Sequence, residues 1–323
     1  MTDEPSTPAN NGEPKSWERE TLNKILFASL NEQRRTRRWG IFFKALFFVY
    51  LLSLLLLYLP EDLSGGSMSL GKHTALVEVN GVIADDSNAS ADHIITGLRA
   101  AFKDTNTAGI ILRINSPGGS PVQAGYINDE IVRLRAKYPK IPLYAVITDI
   151  CASGGYYVAA AADKIYADKA SIVGSIGVLM DGFGFVGTME KLGVERRLLA
   201  AGEHKGFLDP FSPVQKDDVA HVTGMLKDIH RQFIATVKKG RGDRLKESDT
   251  LYSGLVWTGE QGVEMGLVDA LGSSSYVARE VIGADNIVDF TPRANYLDRF
   301  AERIGLALGK TVLSSTSAWS GLR

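Results

Sequence analysis

Residues 142–164 read PLYAVITDICASGGYYVAAAADK. The first seven are a continuous apolar run with β-branched and aromatic members, the pattern of a buried strand. Residues 155–164 read as an apolar helix. A strand that passes into a helix through Ser153-Gly154-Gly155 is one junction of an α/β unit, and the same alternation continues on both sides. Upstream, 74–84 alternates like a strand, 90–104 places Ile94, Leu98 and Phe102 at helical spacing, 109–114 is a second buried-strand run, and 121–137 is helical. Downstream, 213–239 is a long helix carrying Val219, Val222, Met225, Leu226, Ile229 and Phe233. Repeated β-then-α order predicts an α/β domain with a largely parallel sheet, with bounds 74–290.

The chain outside that domain has a different character. Residues 1 to about 23 are rich in Pro, Asn, Ser, Thr and Glu and are expected to be disordered, because they carry too little apolar surface to offset ordering entropy. Arg34, Arg35, Arg37 and Arg38 close a basic tail spanning 1–39. Residues 40–59, GIFFKALFFVYLLSLLLLYL, hold one charge, Lys44. Twenty helical residues reach about 30 Å, the thickness of a bilayer core, so this run predicts a transmembrane anchor. Lys44 lies one turn inside the basic end, where its ammonium can snorkel to the headgroups. No small-residue cleavage site follows Leu59, which favours an uncleaved anchor over a signal peptide. Arginines before the run and Glu61 and Asp62 after it predict a cytoplasmic N-terminus, with residues 60–323 outside the cytoplasm. Residues 60–73 are a Gly/Ser-rich linker. Residues 291–323 form a C-terminal helix or tail, with Tyr296, Leu297, Phe300, Ile304 and Leu308 roughly on one face, to pack on a neighbour, the membrane or the same domain.

Composition excludes several functions. Thirty-six basic against 37 acidic residues in 323 leave a net charge of −1 and no field to gather nucleic acid. One cysteine, Cys151, makes neither an intramolecular disulfide nor a thiolate zinc site, and beside apolar neighbours it reads as packing. His221 and His230 are nine residues apart, off the spacing of a helical metal pair. There is no P-loop and no convincing G-x-G-x-x-G after a strand, so nucleotide binding has no support; no cofactor and no metal are expected.

Three short stretches can carry chemistry. Ser116-Pro117-Gly118-Gly119 follows a strand, and its paired glycines let backbone N–H groups approach a ligand, though an ordinary turn reads the same way. Ser153 sits at a helix N-terminus, where free N–H groups favour developing negative charge; an N-cap serine occupies the same position. Lys205, in AGEHKGFLDPF (201–211), is a base only if neutral, which requires desolvation or a nearby cation. A solvated surface lysine is the other reading, and His204 beside it is an alternative base for a Ser-His pair.

Together, INSPGGS (114–120), the block ASGGYYVAAAADKIYADKASIVGSIGV (152–178), the lysine stretch and WTGEQGVEMGLVDALG (257–272) resemble the signal peptide peptidase A family, the S49 serine peptidases, in its short single-domain form. The resemblance covers about residues 74–275 and implies the α/β fold shared by ClpP and the crotonases. It implies Ser153 as nucleophile, Lys205 as general base, and Gly119 and Gly154 as oxyanion-hole donors. It further implies a homo-oligomer whose serine and lysine come from different copies, signal peptides and other hydrophobic peptides as substrates, and a bacterial cytoplasmic membrane with the domain on its outer side. His204 and Gly206 depart from the family's usual aromatic and small polar residues around the lysine. A crotonase-like acyl-CoA enzyme and a non-catalytic scaffold are the competing readings. The predicted placement outside the cytoplasm argues against the first.

Overall fold

The computed structural model describes residues 16–58 and 71–292. The chain divides into two units, residues 1–65 and 66–323.

In the first unit, helix α1 runs Ser16–Tyr58. It therefore takes in residues 16–23, which composition places in a disordered tail. Glu18, Arg19, Glu20 and Leu22 lie there and are strong helix formers. Extending a helix already begun in the apolar run also needs no new nucleus. Among the described residues no helix is long and apolar enough to cross a membrane. The side chains that end the expected span, Leu55 to Leu59, lie outside the described residues, as does the C-terminal amphipathic stretch 293–310.

The second unit is a three-layer α/β arrangement. Its elements are β1 (His73–Asn80), α2 (Ala91–Lys103), β2 (Thr107–Ser116), α3 (Pro121–Lys137), β3 (Leu143–Ala152), α4 (Gly154–Ala159), β4 (Lys164–Ala167), β5 (Ile172–Gly174), α5 (Val186–Leu192), α6 (Lys216–Arg241), β6 (Val256–Thr258), α7 (Gly259–Glu264), β7 (Ala270–Leu271) and β8 (Ile287–Asp289). A helical turn, Ser274–Tyr276, leads into a π-helical stretch, Val277–Ile282, before β8. Eight strands among the described residues form one sheet in the order β6-β5-β3-β2-β1-β8, with β4 and β7 branching from β3. The pairs are parallel except β5–β6, as the sequence alternation predicts.

Strand alternation divides the core between the two faces. Ala75, Val77 and Val79 join Ile94, Leu98, Ile127, Ile131 and Phe233 beneath α2, α3 and α6. Leu76, Ile111 and Val146 face the other way, onto Val277 and Ala278. A one-residue slip would invert every one of these positions, so the register is strongly specified.

Two departures from simple periodicity position the site. Ile114 pairs with Ile147 but Ser116 with Cys151, so β3 advances four residues where β2 advances two. This bulge lets the first half of β3 pair with β4 and residues 150–152 pair with β5. The helix expected over 155–164 stops at Ala159. The Asp163 N–H donates to Leu143 O (2.8 Å) and Arg135 Nη1 donates to Ala161 O (2.6 Å). These bonds take the backbone groups that a longer helix would need, and the chain turns into β4 instead.

Candidate active site

The carboxyl ends of β2 and β3 lie side by side, the usual place for a ligand site in an open parallel sheet. Two tight turns leave these ends and pack backbone against backbone. In the first, Gly118 has φ 100° and Gly119 φ 147°. A Cβ on Gly119 would stand 2.1 Å from Ile83 O, and one on Gly118 would stand 2.7 Å from Gly154 N. The turn is pinned by Ile83 N–H to Gly118 O and Ser120 N–H to Ile83 O, both 2.8 Å, and by Gly118 N–H to Ser116 Oγ at 3.1 Å.

The second turn carries Ser153. Its backbone stands at φ 52°, ψ −123°, a conformation that residues with a Cβ rarely adopt. Its N–H donates to Gly174 O (2.9 Å), and its carbonyl accepts from Tyr157 N (3.0 Å). Ser153 occupies the N-cap position of α4, yet its hydroxyl makes no capping hydrogen bond. That separates the two readings of this serine: the position is a cap, but the side chain is not used as one. The Gly119 and Gly154 N–H groups have no hydrogen-bond partner among the described residues. They lie close together, since a Cβ on Gly154 would be 3.3 Å from Gly119 N.

Ser153, Gly119 and Gly154 line one cleft of about 590 Å³. Its walls are mostly apolar: Pro117, Pro121, Val178, Leu179, Ile229 and Phe233. Tyr157 packs against Phe233 with ring centroids 5.2 Å apart and is braced by Thr236 Oγ1, which donates to its hydroxyl oxygen at 2.9 Å. Ser175, Gln232 and Ser253 add polar side chains to the lining, and sequence reading missed all three. Ser175 carried a faint signal in the sequence, lying between Gly174 and Gly177; in the structure it shares with Ser153 a positive φ of 52°.

Lys205 is not brought to this cleft within one copy. It lies exposed in a turn, its N–H donating to Gly202 O (3.1 Å), and it is not among the lining residues. His204 is not there either: its Nδ1 is 3.3 Å from Asp218 Oδ1. His230 Nε2 is 3.1 Å from Ile176 O, and His73 stacks on Phe290, both structural positions. Cys151 is fully buried, and burial pushes its thiol far above the ordinary range, so it packs rather than reacts. No group of three or more potential metal ligands occurs among the described residues.

A serine on a strained strand-to-helix turn, beside two unpaired backbone N–H groups at the carboxyl end of a mixed α/β sheet, defines the class of α/β serine hydrolases. The sequence profile described as Peptidase family S49 matches residues 135–287. The chain is 32% identical over 222 residues to a putative signal peptide peptidase SppA of Enterococcus faecium, covering 66% of this chain and 63% of that one. It is 30% identical over 254 residues to a putative protease of Methanocaldococcus jannaschii, covering 74% and 81%. It is 38% identical over 225 residues to a Na(+)/H(+) antiporter NhaA of Brucella melitensis biotype 1, covering 69% of this chain but only 30% of the antiporter. The chain belongs to peptidase family S49, a family of serine peptidases, and its mixed α/β sheet is consistent with the ClpP-like architecture.

Proposed function

We propose that this chain is a membrane-anchored serine endopeptidase that uses a Ser153–Lys205 dyad to degrade cleaved signal peptides and other hydrophobic peptides. The observation that carries the reading is the uncapped, strained Ser153 beside the free Gly119 and Gly154 N–H groups. Neutral Lys205 takes the Ser153 proton as Oγ attacks the scissile carbonyl. The two N–H groups receive the oxyanion of the tetrahedral intermediate, a donor of this kind being worth about 3–4 kcal/mol. Collapse releases the amine, which takes the proton from Lys205. Water, deprotonated by the same lysine, then hydrolyses the acyl-enzyme.

Apolar cleft walls support hydrophobic peptides as substrates, and the relative from Enterococcus faecium bears the name of a signal peptide peptidase. The exposed position of Lys205 supports a dyad completed between copies of a homo-oligomer. So does the apolar surface of the segment that carries it, where Leu192, Val194 and Leu199 are exposed. Docking into a neighbour's cleft removes the amine from water, the condition under which lysine acts as a base. Residues 40–59 provide the anchor in a bacterial cytoplasmic membrane. The arginines before them keep the N-terminus cytoplasmic and place the catalytic domain on the outer side.

The test is reaction of the assembled protein with a phosphonylating serine probe, followed by mass-spectrometric mapping. Modification of Ser153 is the expected result. Labelling elsewhere, or none in the intact oligomer, refutes the proposal.

A further inference from the structure

The turn carrying Lys205 is held by contacts that the hydrolytic steps do not use. Arg196 Nε donates to Asp209 Oδ2 at 3.2 Å and its guanidinium lies over the Phe211 ring at 6.0 Å. Phe211 stacks on Phe185, with centroids 5.4 Å apart, and the Phe185 N–H donates to Pro210 O at 2.7 Å. Gly206 lies so close to Leu198 that a Cβ there would stand 2.5 Å from Leu198 Cδ2. All of these contacts join the segment 185–211 to itself.

His204 does something different. Its Nδ1 is 3.3 Å from Oδ1 of Asp218, in the first turn of α6, and the Asp218 side chain is only 10% exposed. Helix α6 also supplies Ile229 and Phe233 to the Ser153 cleft. The bond therefore ties the residue next to Lys205 to the helix that builds the cleft wall. A carboxylate held in a nearly buried site has few alternative donors, so it is a firm anchor for an imidazole that is otherwise at the surface.

We infer that His204 is a positioning residue for Lys205: its Nδ1–H donates to Asp218, and this bond holds the lysine-bearing turn against its own subunit so that the amine is presented in one orientation. The inference rests on Lys205 being the general base. A base lent to a neighbouring copy has to be held from its own body, because a displacement of about 1 Å in a catalytic group can cost on the order of 100-fold in rate.

The experiment compares His204→Asn with His204→Gln in the full-length protein, using hydrolysis of a hydrophobic fluorogenic peptide. The asparagine amide N–H can stand where Nδ1–H does, whereas glutamine reaches the Nε2 position. His204→Asn should keep wild-type kcat within about three-fold, and His204→Gln should lose about ten-fold or more in kcat with KM unchanged. His204→Ala should match His204→Gln, and adding Asp218→Ala to it should cost nothing further. Equal kcat for the Asn and Gln variants overturns the inference whether or not the alanine variant folds. Lys205→Ala separates this from the underlying reading. If it remains active, the base assignment itself fails. If it is inactive while Asn and Gln are equal, only the positioning role falls.

Discussion

At Ser153 the protein holds a residue with a Cβ at φ 52°, ψ −123°, where such strain costs on the order of 1–3 kcal/mol. The site keeps it there because this backbone leaves the hydroxyl uncapped beside the Gly119 and Gly154 N–H groups. Glycine relieves that strain, so Ser153→Gly should unfold at a higher temperature than Ser153→Ala, with both variants inactive in peptide cleavage. Equal melting temperatures would remove strain from the account of this turn. Gly119 has the opposite sensitivity. At φ 147°, with Ile83 O only 2.1 Å from where a Cβ would be, Gly119→Ala forces the SPGG turn to open. Its melting temperature should fall and its Ser153 phosphonylation slow together, by thermal scanning and probe kinetics; a fall in neither contradicts the packing described.

Helices α2 and α3 are joined by Glu130, which accepts from Arg99 Nε and from Arg133 Nη2, each at 2.7 Å. The Arg133 hydrogen bond, opposed by desolvation and reinforced by Arg99, holds the Glu130 carboxyl down at about 2. The ordinary unfolded value is about 4.3. A carboxyl lowered on folding stabilises the native state above its unfolded value and loses that contribution as pH falls through the folded one. Wild type should therefore lose stability more steeply between about pH 5 and pH 2 than Glu130→Gln, measured as denaturant midpoints across that range. Parallel curves would show that the pair contributes nothing. The contribution is modest, because Arg99 and Arg133 are more than half exposed. Between the elements, periodicity located α2, α3 and α6 to within a few residues. It overran α4, because no local rule records that Arg135 and Leu143 capture the backbone at Ala161 and Asp163.

For the whole molecule, the separation of Lys205 from the cleft makes assembly part of the proposed chemistry. Ser153→Ala and Lys205→Ala should each be inactive alone, yet subunits mixed by denaturation and co-refolding should regain a fraction of wild-type cleavage. An assembled mixture with no activity would place both groups of a dyad in one copy. The proposed anchor makes a separate prediction: deleting residues 1–59 should leave a protein extracted from membranes by alkaline carbonate without detergent, while the full chain requires detergent. If the full chain is also released by carbonate, residues 40–59 do not span the bilayer.

Sequence by itself determined the order of elements in the α/β domain, the apolar run at 40–59, and the residue types at the site. These are properties of local spacing: period two in β1, 3.6 in α2 and α6, and a serine and paired glycines where strands end. Tertiary structure decided what those residues can do. The bulge between Ile114 and Ser116 on β2 and their partners on β3 swings Ala152 to β5, and the contact of Gly118 with Ser153 and Gly154 sets two N–H groups beside one hydroxyl. Ser175, Gln232 and Ser253 joined the cleft, and Lys205 was left outside it, for the same reason. Their positions depend on pairings and packing between residues far apart in the chain, which spacing along a single segment does not encode.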